Sequence, residues 1–96
     1  MRGILLTAVA SAALTTPAAA EDFGGFPPGR GQAETFATCT ACHSTAIVRQ
    51  QRQTREGWDE IITWMQDEKG MWQLEPPMRE LILNYLAEHY NPDVPR

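Results

Sequence analysis

The first twenty residues leave little chain for a folded domain, because they show the pattern of a cleaved export signal. Arg2 supplies a positive start, an apolar run covers 4–14, and Ala18, Ala19 and Ala20 are the small residues expected before a signal peptidase site. The apolar run is shorter than the roughly 20 residues that span a bilayer. We therefore expect cleavage of 1–20 and an exported protein, located in the periplasm if the cell has two membranes.

The remaining segment is one small domain, which buries too little apolar surface to be stabilised by its core alone. Apolar residues make up 43% of the chain, too many for a disordered protein. The formal charge of −4 argues against a nucleic-acid-binding protein, which would carry a basic surface. Two cysteines cannot form a framework of several disulfides, so we expect another source of stability.

Helix signals occur at three places and strand-like alternation is always short, so the sequence predicts an all-α fold with long loops. A short helix is expected at 31–38. A second helix follows Thr54 as its N-cap and ends at Gly70, and a third opens at Pro76 and Pro77. The expected buried faces are Trp58, Ile61, Ile62 and Met65 in the second helix, and Met78, Leu81, Ile82, Tyr85 and Leu86 in the third.

Residues 21–29 are rich in glycine and proline and fit no regular element. We interpret them as an extended arm that precedes a domain at 30–96. The arm contains Phe23 and Phe26, which could pack against this domain or contact a partner. The sequence leaves both alternatives open.

Cys39, Cys42 and His43 form a C-x-x-C-H motif, the attachment signature of c-type haem. At this spacing two thiols add to the two vinyl groups of one porphyrin edge, and the adjacent histidine binds the iron as its proximal ligand. A zinc site would need a fourth ligand, for which only His89 and carboxylates remain. A thioredoxin-like dithiol would need a strand–helix context. We therefore predict one covalently attached haem, which also supplies the missing stability.

Around this motif the sequence resembles the class I cytochrome c family, over roughly 29–90. Gly31 lies eight residues before the first cysteine, like a small residue of the family's N-terminal helix. In the family an aromatic residue of the C-terminal helix packs closely there, and Tyr85 is the matching residue. The resemblance implies a small helical fold around one haem. Thr35 departs from the family, which often has an aromatic or aliphatic residue at that position, and Phe36 could substitute for it.

In this family a methionine commonly binds the iron on the side opposite the histidine. Met71 is the leading candidate, because it follows the helix-ending glycine in the loop before the last helix and belongs to neither apolar face. Met65 is the alternative, because its face also carries Trp58, which we expect to contact the haem. Met78 and His89 are the remaining candidates.

Arg49, Arg52 and Arg55 recur at every third residue after the motif. Arg52 and Arg55 are candidates to bind the haem propionates through bidentate hydrogen bonds. The alternatives are a solvated loop, or contact with an acidic surface of a redox partner. Trp72 is expected in the wall of the haem pocket.

With a haem held on both axial sides by protein ligands, no position remains for a substrate. The sequence also lacks a nucleophile–base pair and a phosphate-binding loop. We therefore expect an electron-transfer protein without a catalytic site of its own. A haem-based sensor of small ligands is an alternative, and it would require a weak or absent sixth ligand.

A finer similarity concerns the segments 39–48, 54–58 and 84–90, which look like the monohaem cytochrome subunit of bacterial sulfite dehydrogenase. This resemblance implies a larger periplasmic partner with a molybdenum cofactor that oxidises sulfite and passes single electrons to the haem subunit. The haem subunit would then reduce another cytochrome. The alternative is a free soluble electron carrier that serves several partners.

Overall fold

The computed structural model of the protein describes residue 3 and residues 22–96, so the expected export signal and its cleavage site lie outside the described residues, Gly3 apart. Residues 22–96 contain four helices and no strand, which confirms the all-α prediction for this part of the chain. The helices are α1 (Gln32–Cys39), α2 (Thr45–Arg49), α3 (Arg55–Glu68) and α4 (Pro76–His89). None of these helices is long and apolar enough to cross a membrane.

The sequence predicts helices at three places and none between the C-x-x-C-H motif and Thr54, which was wrong, because α2 forms there. This helix has five residues and buries only Val48. A single helical turn is too short to show a repeating apolar face, so periodicity in the sequence does not reveal it.

The predicted ends of the two long helices are confirmed. The Thr54 hydroxyl accepts a hydrogen bond from the Gly57 N–H at 3.0 Å, which caps the start of α3. Gly70 lies just beyond the end of α3 with φ +73°, the left-handed conformation that commonly follows a helix. Pro76 and Pro77 occupy the first turn of α4, where no backbone donor is required.

Helix α4 packs against both α1 and α3 and forms the centre of the core. The expected faces are largely buried, but Met78 is an exception with 37% of its surface exposed. Met78 lies in the first turn of α4. Apolar spacing in the sequence indicates which face of a helix is buried, but not how far along that face the neighbouring helices extend. The buried apolar residues are Phe26, Val48, Trp58, Ile62, Ile82, Leu83, Tyr85, Leu86 and Tyr90.

The two phenylalanines of the arm pack against the domain. Phe26 is buried in the core, with its ring centre 6.1 Å from that of Tyr85, and Phe23 lies edge-on to Phe36 at 5.4 Å. The Tyr85 hydroxyl donates a hydrogen bond to the Pro27 carbonyl at 2.6 Å. The segment that precedes α1 is therefore part of the folded unit.

Gly31 provides the close contact between α1 and α4. It is buried with φ +96°, and a Cβ atom there would lie 3.0 Å from both the Leu81 carbonyl oxygen and the Tyr85 Cβ. The expected proximity of Gly31 and Tyr85 is thus present. Thr35 is fully buried, and its hydroxyl has no hydrogen-bond partner among residues 22–96. Phe36 packs against the arm and does not take the place of Thr35.

Candidate functional site

A cavity of about 440 Å³ opens between the end of α1, the helices α2, α3 and α4, and the chain that follows α3. Its volume lies in the range of small-molecule and cofactor sites. The lining is mostly apolar. Helix α3 contributes the largest share of the wall, with Trp58, Ile61, Ile62, Trp64 and Met65.

The C-x-x-C-H motif lies at the edge of this cavity. Cys39 is the last residue of α1, and the chain turns immediately after it, with the His43 N–H donating to the Cys39 carbonyl at 3.1 Å. This turn brings Cys39, Cys42 and His43 to the same cavity. The three residues that the sequence singled out for cofactor attachment are therefore assembled by one local turn.

The two thiols have different environments. Both are free of disulfide bonds, and Cys39 is half-buried whereas Cys42 is exposed. Burial raises the pKa of the Cys39 thiol to about 11, so this thiol is protonated at neutral pH. In residues 22–96, no three His, Cys, Asp or Glu side chains lie close enough to hold a metal ion by themselves.

Two of the four candidates for the sixth iron ligand line the cavity. Met65 comes from α3 and Met71 from the loop after it, and the Met71 N–H donates to the Met65 carbonyl at 3.1 Å. Met78 and His89 lie elsewhere, and the His89 ring packs on Tyr85 with 4.4 Å between ring centres. Both leading candidates, Met65 and Met71, thus lie at the cavity, and the structure is compatible with either as the iron ligand.

The two arginines assigned to the propionates do not line the cavity. The Arg52 guanidinium donates to four backbone carbonyls, those of residues 49, 51, 94 and 95, and lies 5.1 Å from the centre of the Tyr90 ring. Arg55 pairs with Glu80 at 2.7 Å on the surface. Their binding to a haem stays a prediction, and their placement gives it no support.

Other polar groups reach the cavity that the sequence did not single out. Gln51 and Lys69 line it, and the Lys69 ammonium lies 5.1 Å from the centre of the Trp64 ring. Lys69 is the only lysine of the chain and directly precedes the loop with Met71. This position in the sequence could have indicated that Lys69 lies near the cavity. The charge of a residue, however, does not show in which direction its side chain points.

Large apolar side chains remain exposed around the cavity. Ile47, Trp64 and Trp72 are 48%, 52% and 47% exposed, and all three line the cavity. They are three of the four large hydrophobic residues that are exposed in the described part of the chain. Such clusters mark binding surfaces in small proteins.

The residues present fit a covalently attached haem. The cavity offers two thiols for attachment, one imidazole and two thioether sulfurs as iron ligands, and apolar walls for a large planar ring. Binding of such a ring would cover apolar side chains that are otherwise open to water.

No protein-family model, curated protein or solved structure matched this chain.

Proposed function

We propose that this chain is an exported c-type cytochrome that carries one covalent haem and transfers single electrons. Cys39 and Cys42 hold the haem through thioether bonds, His43 binds the iron, and Met71 is the sixth ligand with Met65 as the alternative. When bound, the haem supplies one-electron exchange between ferric and ferrous iron. The observation that carries the proposal is the common placement of the C-x-x-C-H motif and two methionines on one apolar cavity.

The side chains of the chain would tune this electron transfer. A methionine sulfur ligand raises the reduction potential of a haem iron. An apolar environment also changes this potential, because it excludes water from the iron site. Trp58 and Ile62 are buried in the wall and exclude water from the cavity. Because His43 and Met71 would both bind the iron, the site would be suited to electron exchange rather than to binding a substrate.

The proposed partners follow from the resemblance to the cytochrome subunit of sulfite dehydrogenase. We infer a molybdenum-containing dehydrogenase in the periplasm as the electron donor, and another cytochrome as the acceptor. Purification of the protein from its native periplasm, followed by metal analysis, tests this. Co-purification of a larger molybdenum protein supports a subunit role, and purification as a monomer contradicts it in favour of a free carrier.

Covalent attachment is tested by mass. We expect the chain, made in a host equipped for cytochrome maturation, to gain the mass of one haem under denaturing conditions, because each thioether survives unfolding. The double variant Cys39→Ala and Cys42→Ala should show the bare mass. A wild-type chain with no added haem would contradict the proposed function.

The same preparation identifies the sixth ligand. Met71→Ala should abolish the sulfur-to-iron absorption band at the red end of the oxidised spectrum, whereas Met65→Ala should retain it. Met78→Ala is the matched control, because Met78 lies outside the cavity. Loss of the band in Met65→Ala alone would assign the alternative ligand instead.

A further inference from the structure

The loop of residues 70–74, here called the 70–74 loop, joins α3 to α4 and carries Met71. At its start the Met71 N–H donates to the Met65 carbonyl at 3.1 Å, six residues back, and Gly70 between them has φ +73°. This hydrogen bond spans one residue more than that of a Schellman turn, and with the left-handed glycine it reverses the chain after the helix. The turn returns Met71 to the cavity that Met65 also lines.

At its other end the 70–74 loop is tied to α3 by a side chain. The Gln66 Oε1 accepts a hydrogen bond from the Leu74 N–H at 3.1 Å. Leu74 is half-buried and packs against the core, and Gln66 is half-buried as well. Removal of this acceptor would leave the Leu74 N–H without its hydrogen-bond partner in a partly buried position, which is unfavourable.

The start of α4 is also fixed to α3, directly after this loop. Arg79 donates to the Asp59 carboxylate at 2.6 and 2.9 Å and to the Thr63 hydroxyl at 2.7 Å. The 70–74 loop is thus held at both ends by contacts with the same helix. Of these contacts, the one from Gln66 joins a side chain of α3 to the backbone of the loop itself.

We propose that Gln66 is a positioning residue that holds Met71 in place as an iron ligand, through its hydrogen bond to Leu74. The inference rests on the proposed function, since it concerns the ligand of the bound haem. Met71 lies between the two points at which the loop is attached to α3. Removal of the second attachment frees the loop to move away from the cavity, and binding of the sulfur then has to offset the cost of ordering the loop.

Four variants separate this role from general stability. Gln66→Met keeps the side-chain length but has no oxygen acceptor, whereas Gln66→Glu keeps an oxygen acceptor for the Leu74 N–H. Gln73→Met is the matched control, because Gln73 is an exposed glutamine of the same loop and makes no side-chain hydrogen bond in the described structure. Gln66→Ala repeats the test without adding apolar volume.

The first measurement is the affinity of the oxidised haem protein for added imidazole, which competes with methionine for the iron. Loss of one hydrogen bond of about 1 kcal/mol corresponds to a change of about fivefold in an equilibrium constant. We expect Gln66→Met to bind imidazole about fivefold more tightly than wild type and to show a weaker sulfur-to-iron band. Gln66→Glu and Gln73→Met should behave like wild type.

The second measurement is hydrogen exchange of the Leu74 amide, which reports the hydrogen bond itself. Exchange should accelerate about fivefold in Gln66→Met and Gln66→Ala. Faster exchange with unchanged imidazole affinity and band would overturn the positioning role and leave the proposed function intact. A wild-type chain without covalent haem would overturn the proposed function and this inference with it.

Discussion

Gly31 and Gly70 both adopt left-handed backbone conformations, yet their surroundings differ. At Gly31 a Cβ atom would lie 3.0 Å from the Leu81 carbonyl oxygen and from the Tyr85 Cβ, neither of which is a flexible side-chain end. At Gly70, its two chain neighbours apart, a Cβ atom would meet no atom of the described residues within 4 Å. Gly31 is thus required by helix packing as well as by its conformation, and Gly70 by its conformation alone.

The pair gives a matched test of this distinction. Gly31→Ala should lower the free energy of unfolding by about 3 kcal/mol, because backbone strain and overpacking add. Gly70→Ala should lower it by about 1 kcal/mol through strain alone. Urea unfolding of both variants provides the measurement, and equal losses would contradict the role of the α1–α4 contact.

At the scale of the helices, two arginines connect α3 with α4 in different ways. Arg79 makes hydrogen bonds to the Asp59 carboxylate, to the Asp59 carbonyl at 3.0 Å and to the Thr63 hydroxyl, and its side chain is mostly buried. Arg55 forms an ion pair with Glu80 in which both side chains are exposed, and it also donates to the Asn84 Oδ1 at 3.3 Å on the surface. Exposed pairs stabilise little, while several charge-assisted bonds in a partly buried place stabilise more.

Helix association should therefore depend on Arg79 more than on Arg55. We expect Arg79→Met to lower the free energy of unfolding by about 2 kcal/mol. Arg55→Met should change it by less than about 0.5 kcal/mol. Thermal or urea unfolding distinguishes the two variants, and an equal or larger effect of Arg55→Met would show that the surface pair is the stronger connection.

At the scale of the whole molecule, Tyr85 links the N-terminal arm, α1 and α4. Its side chain is fully buried, its hydroxyl donates to the Pro27 carbonyl, and its Cβ lies against Gly31. Burial, with a smaller effect of Tyr90, raises the pKa of the Tyr85 phenol above its ordinary value. The folded state therefore resists the loss of this proton.

This shift predicts an alkaline loss of stability. Below the ordinary tyrosine pKa of about 10 the phenol is protonated in both states, and its full contribution is present. As the pH rises further the unfolded state releases the proton more readily, so the free energy of unfolding falls. At pH 7 the free energy of unfolding of Tyr85→Phe should be about 1 kcal/mol lower than that of wild type, because the hydrogen bond to Pro27 is lost. Above pH 10 the free energy of unfolding of this variant should fall less steeply.

Tyr90→Phe is the comparison for this experiment. Burial also raises the pKa of Tyr90, but Arg49 and Arg52 act in the opposite direction. Its removal should therefore flatten the alkaline fall less than removal of Tyr85. Chemical unfolding at several pH values measures both, and a fall unaffected by Tyr85→Phe would show that other groups cause it.

The sequence by itself determined features that depend on residues close together in the chain. The Thr54 cap, the stop at Gly70 and the proline start of α4 each involve interactions within one helical turn, so the sequence predicts them directly. The C-x-x-C-H motif is equally local, because its spacing alone brings two thiols and an imidazole together.

Only the tertiary structure decided which distant residues share the cavity. Met65 and Met71 reach it while Met78 does not, Lys69 lines it, and Arg52 is engaged by backbone carbonyls. The arm likewise became part of the core through Phe26. These outcomes depend on how helices pack across long sequence separations, and the spacing of residues along one helix carries no information about where its neighbours end.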